Sequence, residues 1–288
     1  MKRKKAGSAQ HPLVSIITAV LNGEKYLEQA VKSVIGQTYD NCEYLVIDGR
    51  STDGTLDIIR KYQDKIDFWI SEPDSGIFDA MNKGIEKASG EFIGMLNADD
   101  WYEADIVEAM VDKLNGTPPA STRQVIYCDY YQYDERFNPH YRTKKYSNLS
   151  RRAGMPVSHQ AMFVHRDVYE ELGQYDLRYR LASDFDFFLR MIKADVEFIK
   201  ADVHGVTIRK GGQSTINLKE SVRETGLIVR KHFGLFSRAY YSFLFTNRVP
   251  SLVGRLQSFL YKYAGQRSTN FIRKLWRRLK PRSEDLRI

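Results

Sequence analysis

Apolar residues in the first 115 positions recur with two periods in alternation. "LVSIITAV" (13–20) is a near-continuous run rich in β-branched residues, the pattern of a strand buried on both faces. After the turn "LNGE", Tyr26, Leu27, Ala30, Val31, Val34 and Ile35 recur at helical spacing. "EYLVID" (43–48) predicts a second buried strand, and in the polar loop "GRSTDGT" either Asp53 or Thr55 can cap a helix carrying Leu56, Ile58 and Ile59. "DFWI" (67–70) predicts a short strand, "SGIFDAMNKGIEKA" a helix, "EFIGML" (91–96) a fourth strand, and residues 103–114 another helix. Such alternation predicts an α/β fold with a mainly parallel sheet flanked by helices. Ligands of such sheets bind beyond the carboxyl ends of the strands. Asp48, Asp99 and Asp100 all stand there.

The second half is less regular. "QVIYCDYY" and "HQAMFVHR" predict strands separated by an irregular polar stretch, 134–156. "SDFDFFLRMIKA" (183–194) predicts a capped helix with Phe187, Phe188, Met191 and Ile192 facing inward. "VEFIK" and "VHGVTIR" predict two further strands, "KGGQST" a flexible turn, and residues 217–233 a helix.

Composition places these elements in a globular protein: 42% of the 288 residues are hydrophobic and 28% charged. Cys42 and Cys128 sit in apolar strand patterns, as buried reduced thiols do. No leader-like apolar segment follows the basic start, and no run approaches the ~18 apolar residues of a spanning helix. The net charge of +8 is unevenly placed: residues 1–5 carry +4, residues 248–288 carry +9, and residues 6–247 carry −5. A nucleic-acid binder concentrates its basic patch on the folded domain, so nucleic acid is not the expected partner.

Two adjacent carboxylates closing an apolar strand need compensation, because an unpaired buried charge costs several kcal/mol or changes its protonation. Mg²⁺ or Mn²⁺ bound by one or two carboxylates and by substrate phosphates would supply it. The competing reading makes these acids helix caps and turn residues.

"SIITAVLNGEKYLEQAVKSVIGQTYDNCEYLVIDGRSTDGT", with "MLNADDWY" and "ISEPDSGIFDAMNKGI", resembles the nucleotide-sugar half of family 2 glycosyltransferases of the GT-A fold. The nearer look-alikes build bacterial exopolysaccharide, colanic acid or O-antigen units. The resemblance spans roughly residues 12–235. It implies a nucleotide-sugar half at 12–116 and an acceptor half at 117–235. It implies that Asp48 accepts a nucleobase N–H and that Ala19 and Leu21 lie near the base. Asp79 and Lys83 would lie beside the diphosphate and sugar. Asn97-Ala98-Asp99 stands at the D-x-D position, with Asp99 the metal ligand, Asp100 a second candidate, and Mn²⁺ or Mg²⁺ the cofactor. In "RLASDFDFFLR" the family's Glu-Asp pair is Ser183-Asp184, which leaves Asp184 as catalytic base and Asp186 as its alternative. His159, in "VSHQAMFV", would border the acceptor site. Two departures stand out: Asn97 replaces an acid, and Leu21 stands where many relatives have Tyr.

Beyond 235 the chain is expected to form a basic amphipathic extension, 236–288. Val249, Leu252, Val253, Leu256, Phe259, Leu260 and Tyr263 make one helical stripe, and "FIRKLWRRLK" repeats the pattern opposite a basic face. Basic helices with aromatic apolar faces suit an anionic membrane surface. The expected protein is therefore an inverting, metal-dependent transferase. It would sit at the inner face of a bacterial plasma membrane and move a sugar, UDP-linked by preference, to a polyprenyl-diphosphate-linked saccharide. A nucleotidyltransferase using the same metal site, or a non-catalytic membrane scaffold, are the alternatives. "TAVLNGEKY" is a poor version of the phosphate loop that the first would need.

Overall fold

The computed structural model describes residues 11–117, 123–135, 142–145, 147, 155–212 and 216–235. The basic N-terminal tail (1–11) apart from His11, and the amphipathic segments expected within 236–288, lie outside them. The chain divides into two compact units, Met1–Asn148 with Val157–Ile216, and Leu149–Pro156 with Asn217–Ile288.

The first unit is built on a mixed sheet of nine strands: β1 (Val14–Val20), β2 (Cys42–Asp48), β3 (Phe68–Ser71), β4 (Phe92–Met95), β5 (Trp101–Tyr102), β6 (Gln124–Tyr133), β7 (Arg142–Lys145), β8 (Met162–His165) and β9 (Glu197–Arg209). Their order is β3-β2-β1-β4-β8-β6-β9-β5, with β7 beside β6. Strands β1 to β4 pair in parallel, as the alternation predicts. β8 then runs antiparallel to both β4 and β6, and β9 runs parallel to β6. The carboxyl ends of β1, β2, β3, β4, β6 and β9 therefore share one edge with the entrance to β8.

The helices are α1 (Leu27–Ile35), α2 (Thr55–Tyr62), α3 (Ile77–Lys87), α4 (Ile106–Asn115), α5 (Arg166–Leu172) and α6 (Ser183–Lys193). All seven residues of β1 are buried, because helices cover the sheet there. Helix α3 comes so close to β1 that a Cβ on Gly84 would lie 2.4 Å from Ile17 Cγ2. Gly205 does the same for α4, where a Cβ would meet Ile106 Cδ1 at 1.8 Å. In the second unit, α7 (Leu218–Phe233) buries Ile228 and Val229.

Four details differ from the sequence expectations. The polar stretch 134–156 contains β7, which pairs antiparallel with Tyr130–Tyr133. The two strands expected at 196–209 are one continuous strand, its register shifts falling on either side of Asp129. Ile192 is 41% exposed, while Phe185 and Leu189 join Phe187, Phe188 and Met191 inside. Cys128 is buried and its thiol is pushed up to about 12 by burial, but Cys42 is only half-buried.

Two outcomes test this packing. Gly205→Ala forces α4 off β9 and is expected to lower the unfolding free energy by about 1–3 kcal/mol, whereas Gly212→Ala, with open space around it, changes it by under about 0.5 kcal/mol. Urea denaturation reads both. His165 Nδ1 accepts the Asp167 backbone N–H and caps α5, and burial holds its protonation below the usual histidine range. The unfolded chain takes up that proton first, so stability is lost as pH falls from ~7 towards ~5. His165→Asn, which caps without titrating, is expected to flatten that part of the thermal-midpoint profile.

Candidate active site

The floor of the site is made by two interlocked loops, those leaving β1 and β2. Gly49 N–H donates to Val20 O at 2.8 Å, Asn22 N–H to Ser51 Oγ at 2.7 Å, and Gly23 N–H to Thr55 Oγ1 at 2.8 Å. In return Thr52 N–H donates to Asn22 Oδ1 at 2.9 Å and Gly54 N–H to Glu24 Oε2 at 2.7 Å. Gly54, not Asp53 or Thr55, occupies the cap position of α2, while Asp53 accepts the Thr55 backbone N–H. Asn22 and Arg50 hold left-handed backbone conformations (φ 53° and 67°), which an amide side chain tolerates and an arginine rarely adopts. A Cβ at Gly49 would lie 2.3 Å from Asp74 Oδ2, so a larger residue there would have to push that carboxylate aside.

Asp48 lies beneath this floor with no exposed surface. Its carboxylate accepts the Ser51 N–H, the Ser51 hydroxyl and, at 2.6 Å, the Ser71 hydroxyl. Ala19 is buried in β1, and Leu21 is 58% exposed at the rim. Lys83 is tied to the turn between β3 and α3 by Glu72 and by the Pro73 carbonyl, both at 2.8 Å, with Asp79 4.0 Å away. The Glu72 hydrogen bond raises its pKa. Asp79 caps that turn through the Ser75 N–H at 2.8 Å. Ala98 packs beside Gly23.

The two acids at the end of β4 are treated differently by the fold. Asp100 is 2% exposed and turns inward, accepting the Arg209 backbone N–H at 2.8 Å and the Gln160 amide at 2.7 Å. Burial, and then the charge of Asp99, push its pKa well above the carboxylate range. Asp99 is only partly buried, and its carboxylate is reached by its own backbone N–H but by no side-chain hydrogen bond shown among the described residues. Burial raises it too, against the opposing fields of Arg209 and His159. A divalent cation fits this arrangement. Asp99 is a partly desolvated carboxylate whose donor is its own backbone N–H, which leaves acceptor positions that a cation could take. Among the described residues no cluster of three or more His, Cys, Asp or Glu can hold a metal alone.

Arg209 turns away from the glycine loop expected to follow it. Its Nε–H donates to Asp99 O at 3.1 Å, and its guanidinium lies over Tyr26 (4.0 Å), Tyr133 (5.0 Å) and Trp101 (5.3 Å) while pairing with Glu135. Lys210 is half-exposed beside Asp134.

On the other side of the crevice, Asp184 stands in the first turn of α6. Ala182 occupies the cap position with no side-chain cap, so neither Ser183 nor Asp184 serves as one. Ser183 is buried and donates to Asp176 O at 3.0 Å. Asp186, the alternative base, has no exposed surface and pairs with Arg190 at 3.0 Å, which removes it from the crevice. His159 opens the short 3₁₀ turn before β8 and joins the halves: Nδ1 lies 3.2 Å from Asp184 Oδ2 and Nε2 lies 3.3 Å from Asn97 Oδ1. The structure thus gathers Asn97, Asp99, His159 and Asp184, and adds Gln160 and Arg209. The sequence signal for the last two was indirect: a strand ending in two acids must find donors on neighbouring strand ends.

The family model for Glycosyl transferase family 2 matches residues 15–173, more than half of the chain. The chain belongs to glycosyltransferase family 2. An uncharacterised glycosyltransferase of Rickettsia typhi is 27% identical over 201 residues, 67% of this transferase and 62% of the relative. The matched segment therefore spans under two thirds of that protein. A PGL/p-HBAD biosynthesis glycosyltransferase of Mycobacterium bovis is 32% identical over 184 residues, 62% of this chain and 69% of that one. Among solved structures, the mannosyltransferase PcManGT of Pyrobaculum calidifontis, in complex with GDP-Man and Mn²⁺, aligns with a TM-score of 0.67. Its identity is 16%, over 96% of this chain and 85% of that one. S. aureus TarS 1-349 with UDP-GlcNAc aligns at 0.61, with 15% identity over 86% and 80%. These likenesses establish the GT-A fold of the enzyme.

Gln160→Leu leaves one oxygen of the buried Asp100 without its donor. Unfolding free energy is expected to fall by about 1–3 kcal/mol, read by urea denaturation of the nucleotide-free transferase.

Proposed function

We propose that this transferase moves a sugar from a nucleotide diphosphate donor, UDP-linked by preference, to a hydroxyl of a lipid-linked saccharide, with inversion. The observation that carries the reading is the bridge of His159 between Asn97 and Asp184, which sets the donor-side D-x-D position beside the expected base. Support also comes from the nucleotide sugars held by PcManGT and TarS in their complexes.

In this reading the nucleobase lies on the floor of the two loops, at Ala19 and Leu21. For Asp48 to serve a base N–H, as the resemblance implies, its enclosure by Ser51 and Ser71 would have to open. Asn97 meets a donor hydroxyl, and Asp79 and Lys83 flank the diphosphate and sugar. Asp99 would hold Mn²⁺ or Mg²⁺, with Asp100 behind it as the buried anchor. The bound ion supplies Lewis-acid stabilisation of the departing nucleoside diphosphate. Asp184 takes the proton of the acceptor hydroxyl as that oxygen forms its bond to the anomeric carbon and the bond to the diphosphate breaks. A position at the inner membrane face rests on the basic amphipathic segments beyond residue 248. Among the described residues no helix is long and apolar enough to cross a membrane.

Calorimetric titration with UDP and with GDP, each with and without Mn²⁺, tests the donor half. Metal-dependent binding of UDP, abolished in Asp99→Ala, is expected. Asp184→Asn should keep that binding while transfer, measured as nucleoside diphosphate released, falls by about 10²- to 10⁴-fold. Wild-type transfer by Asp184→Asn would place the base elsewhere.

A further inference from the structure

His159 bridges the two halves of the crevice, and both its ring nitrogens are engaged. It is 14% exposed, so water is a poor substitute for either partner. An ionised carboxylate accepts hydrogen bonds and cannot donate. Nδ1 must therefore carry the proton that faces Asp184. A doubly protonated ring would donate to both oxygens as they are placed; a ring with one proton leaves Nε2 bare, able only to accept. The atom facing it across 3.3 Å is an Asn97 side-chain atom placed as Oδ1, also an acceptor. A half-turn of the amide exchanges its oxygen and nitrogen in nearly the same space. That half-turn puts Nδ2–H on Nε2 and releases the Asn97 carbonyl oxygen from the ring.

One unbroken series of donors follows, from Asn97 through His159 to Asp184. Its last member is fixed at both oxygens, since the Phe185 backbone N–H donates to Asp184 Oδ1 at 2.8 Å. The series also gives the amide at position 97 a purpose. The resemblance expects a carboxylate there, and a carboxylate has no N–H to give the ring.

The geometry points to His159 as a positioning residue: Asn97 holds its neutral ring in the Nδ1–H tautomer, and that N–H sets the Asp184 carboxylate towards the acceptor hydroxyl. The inference rests on the reading of Asp184 as the base. A base must lie within hydrogen-bond reach of the proton that it removes, and partners that orient such groups are worth about 10- to 100-fold.

Full-length protein labelled with ¹⁵N at its six histidines tests the tautomer without turnover. The His159 ring, assigned by its loss in His159→Asn, is expected to show a protonated Nδ1 and a bare Nε2 near neutral pH. Asn97→Ala should shift that ring towards the other tautomer. An imidazolium, an Nε2–H ring, or spectra unchanged by Asn97→Ala would overturn the proposal. In the transfer assay His159→Ala is expected to lower kcat about 10- to 100-fold, with donor KM within about twofold. His159→Asn, whose amide can occupy the Nδ1 position, should recover most of it and guards against a folding defect in the alanine variant. Unchanged kcat, or a raised donor KM with intact kcat, refutes the positioning role. Wild-type transfer by Asp184→Asn would instead remove the base assignment and leave the ring assignment standing.

Discussion

The crevice is organised around one buried carboxylate, that of Asp100. A carboxyl group enclosed to 2% exposure demands hydrogen-bond partners, and the fold supplies two from far along the chain: the Gln160 amide and the last N–H of β9. Meeting that demand draws the end of β4, the approach to β8 and the end of β9 to one point. Asn97 and Asp99 are carried by the first segment, His159 by the second, and Arg209 by the third. These four groups are therefore placed, in part, by the need to satisfy an acid that faces away from the crevice.

A division of labour between neighbours follows. Asp100 spends its acceptors on Gln160 and the end of β9, while the partly desolvated Asp99 carboxylate is met only by its own backbone N–H. Arg209 offsets some of that cost through space but gives its guanidinium to three aromatic rings and Glu135. Asp99 is thus left short of positive charge, a condition that favours a cation arriving with a diphosphate. The floor beneath is the opposite case. In the loops after β1 and β2, each turn satisfies donors of the other, so the floor proposed to take the nucleotide is held together by the chain itself.

The first half of the fold was legible because its strands are buried on both faces and its helices keep a clean period. β1 to β4 and α1 to α4 fall where those periods put them. The second half hid two features. β7 is an edge strand of Arg142-Thr143-Lys144-Lys145, whose polar residues carry no apolar alternation. β9 looked like two strands because the polar pair Asp202 and His204 interrupts its apolar run. The site was legible as a set of acids at strand ends, but not as a network. Nothing local to "VSHQ" says that His159 touches Asp184 and Asn97, since those contacts cross 25 and 62 residues. Ser183 was readable only as a loss, whereas in the fold its hydroxyl secures the loop before α6.

β9 runs unbroken for 13 residues beside β6, and its registration is adjusted twice, on either side of Asp129. Side chains alternate along a strand, so slippage by a single residue would turn Arg209 to the opposite face and present the wrong amide to Asp100. A chain paired out of step would then leave a buried carboxyl group without one of its partners. Asp100 thus acts as a gauge during folding: the long strand can come to rest cheaply only in the alignment that also completes the crevice. Correct sheet assembly and a working transferase become a single event, enforced by the same carboxylate.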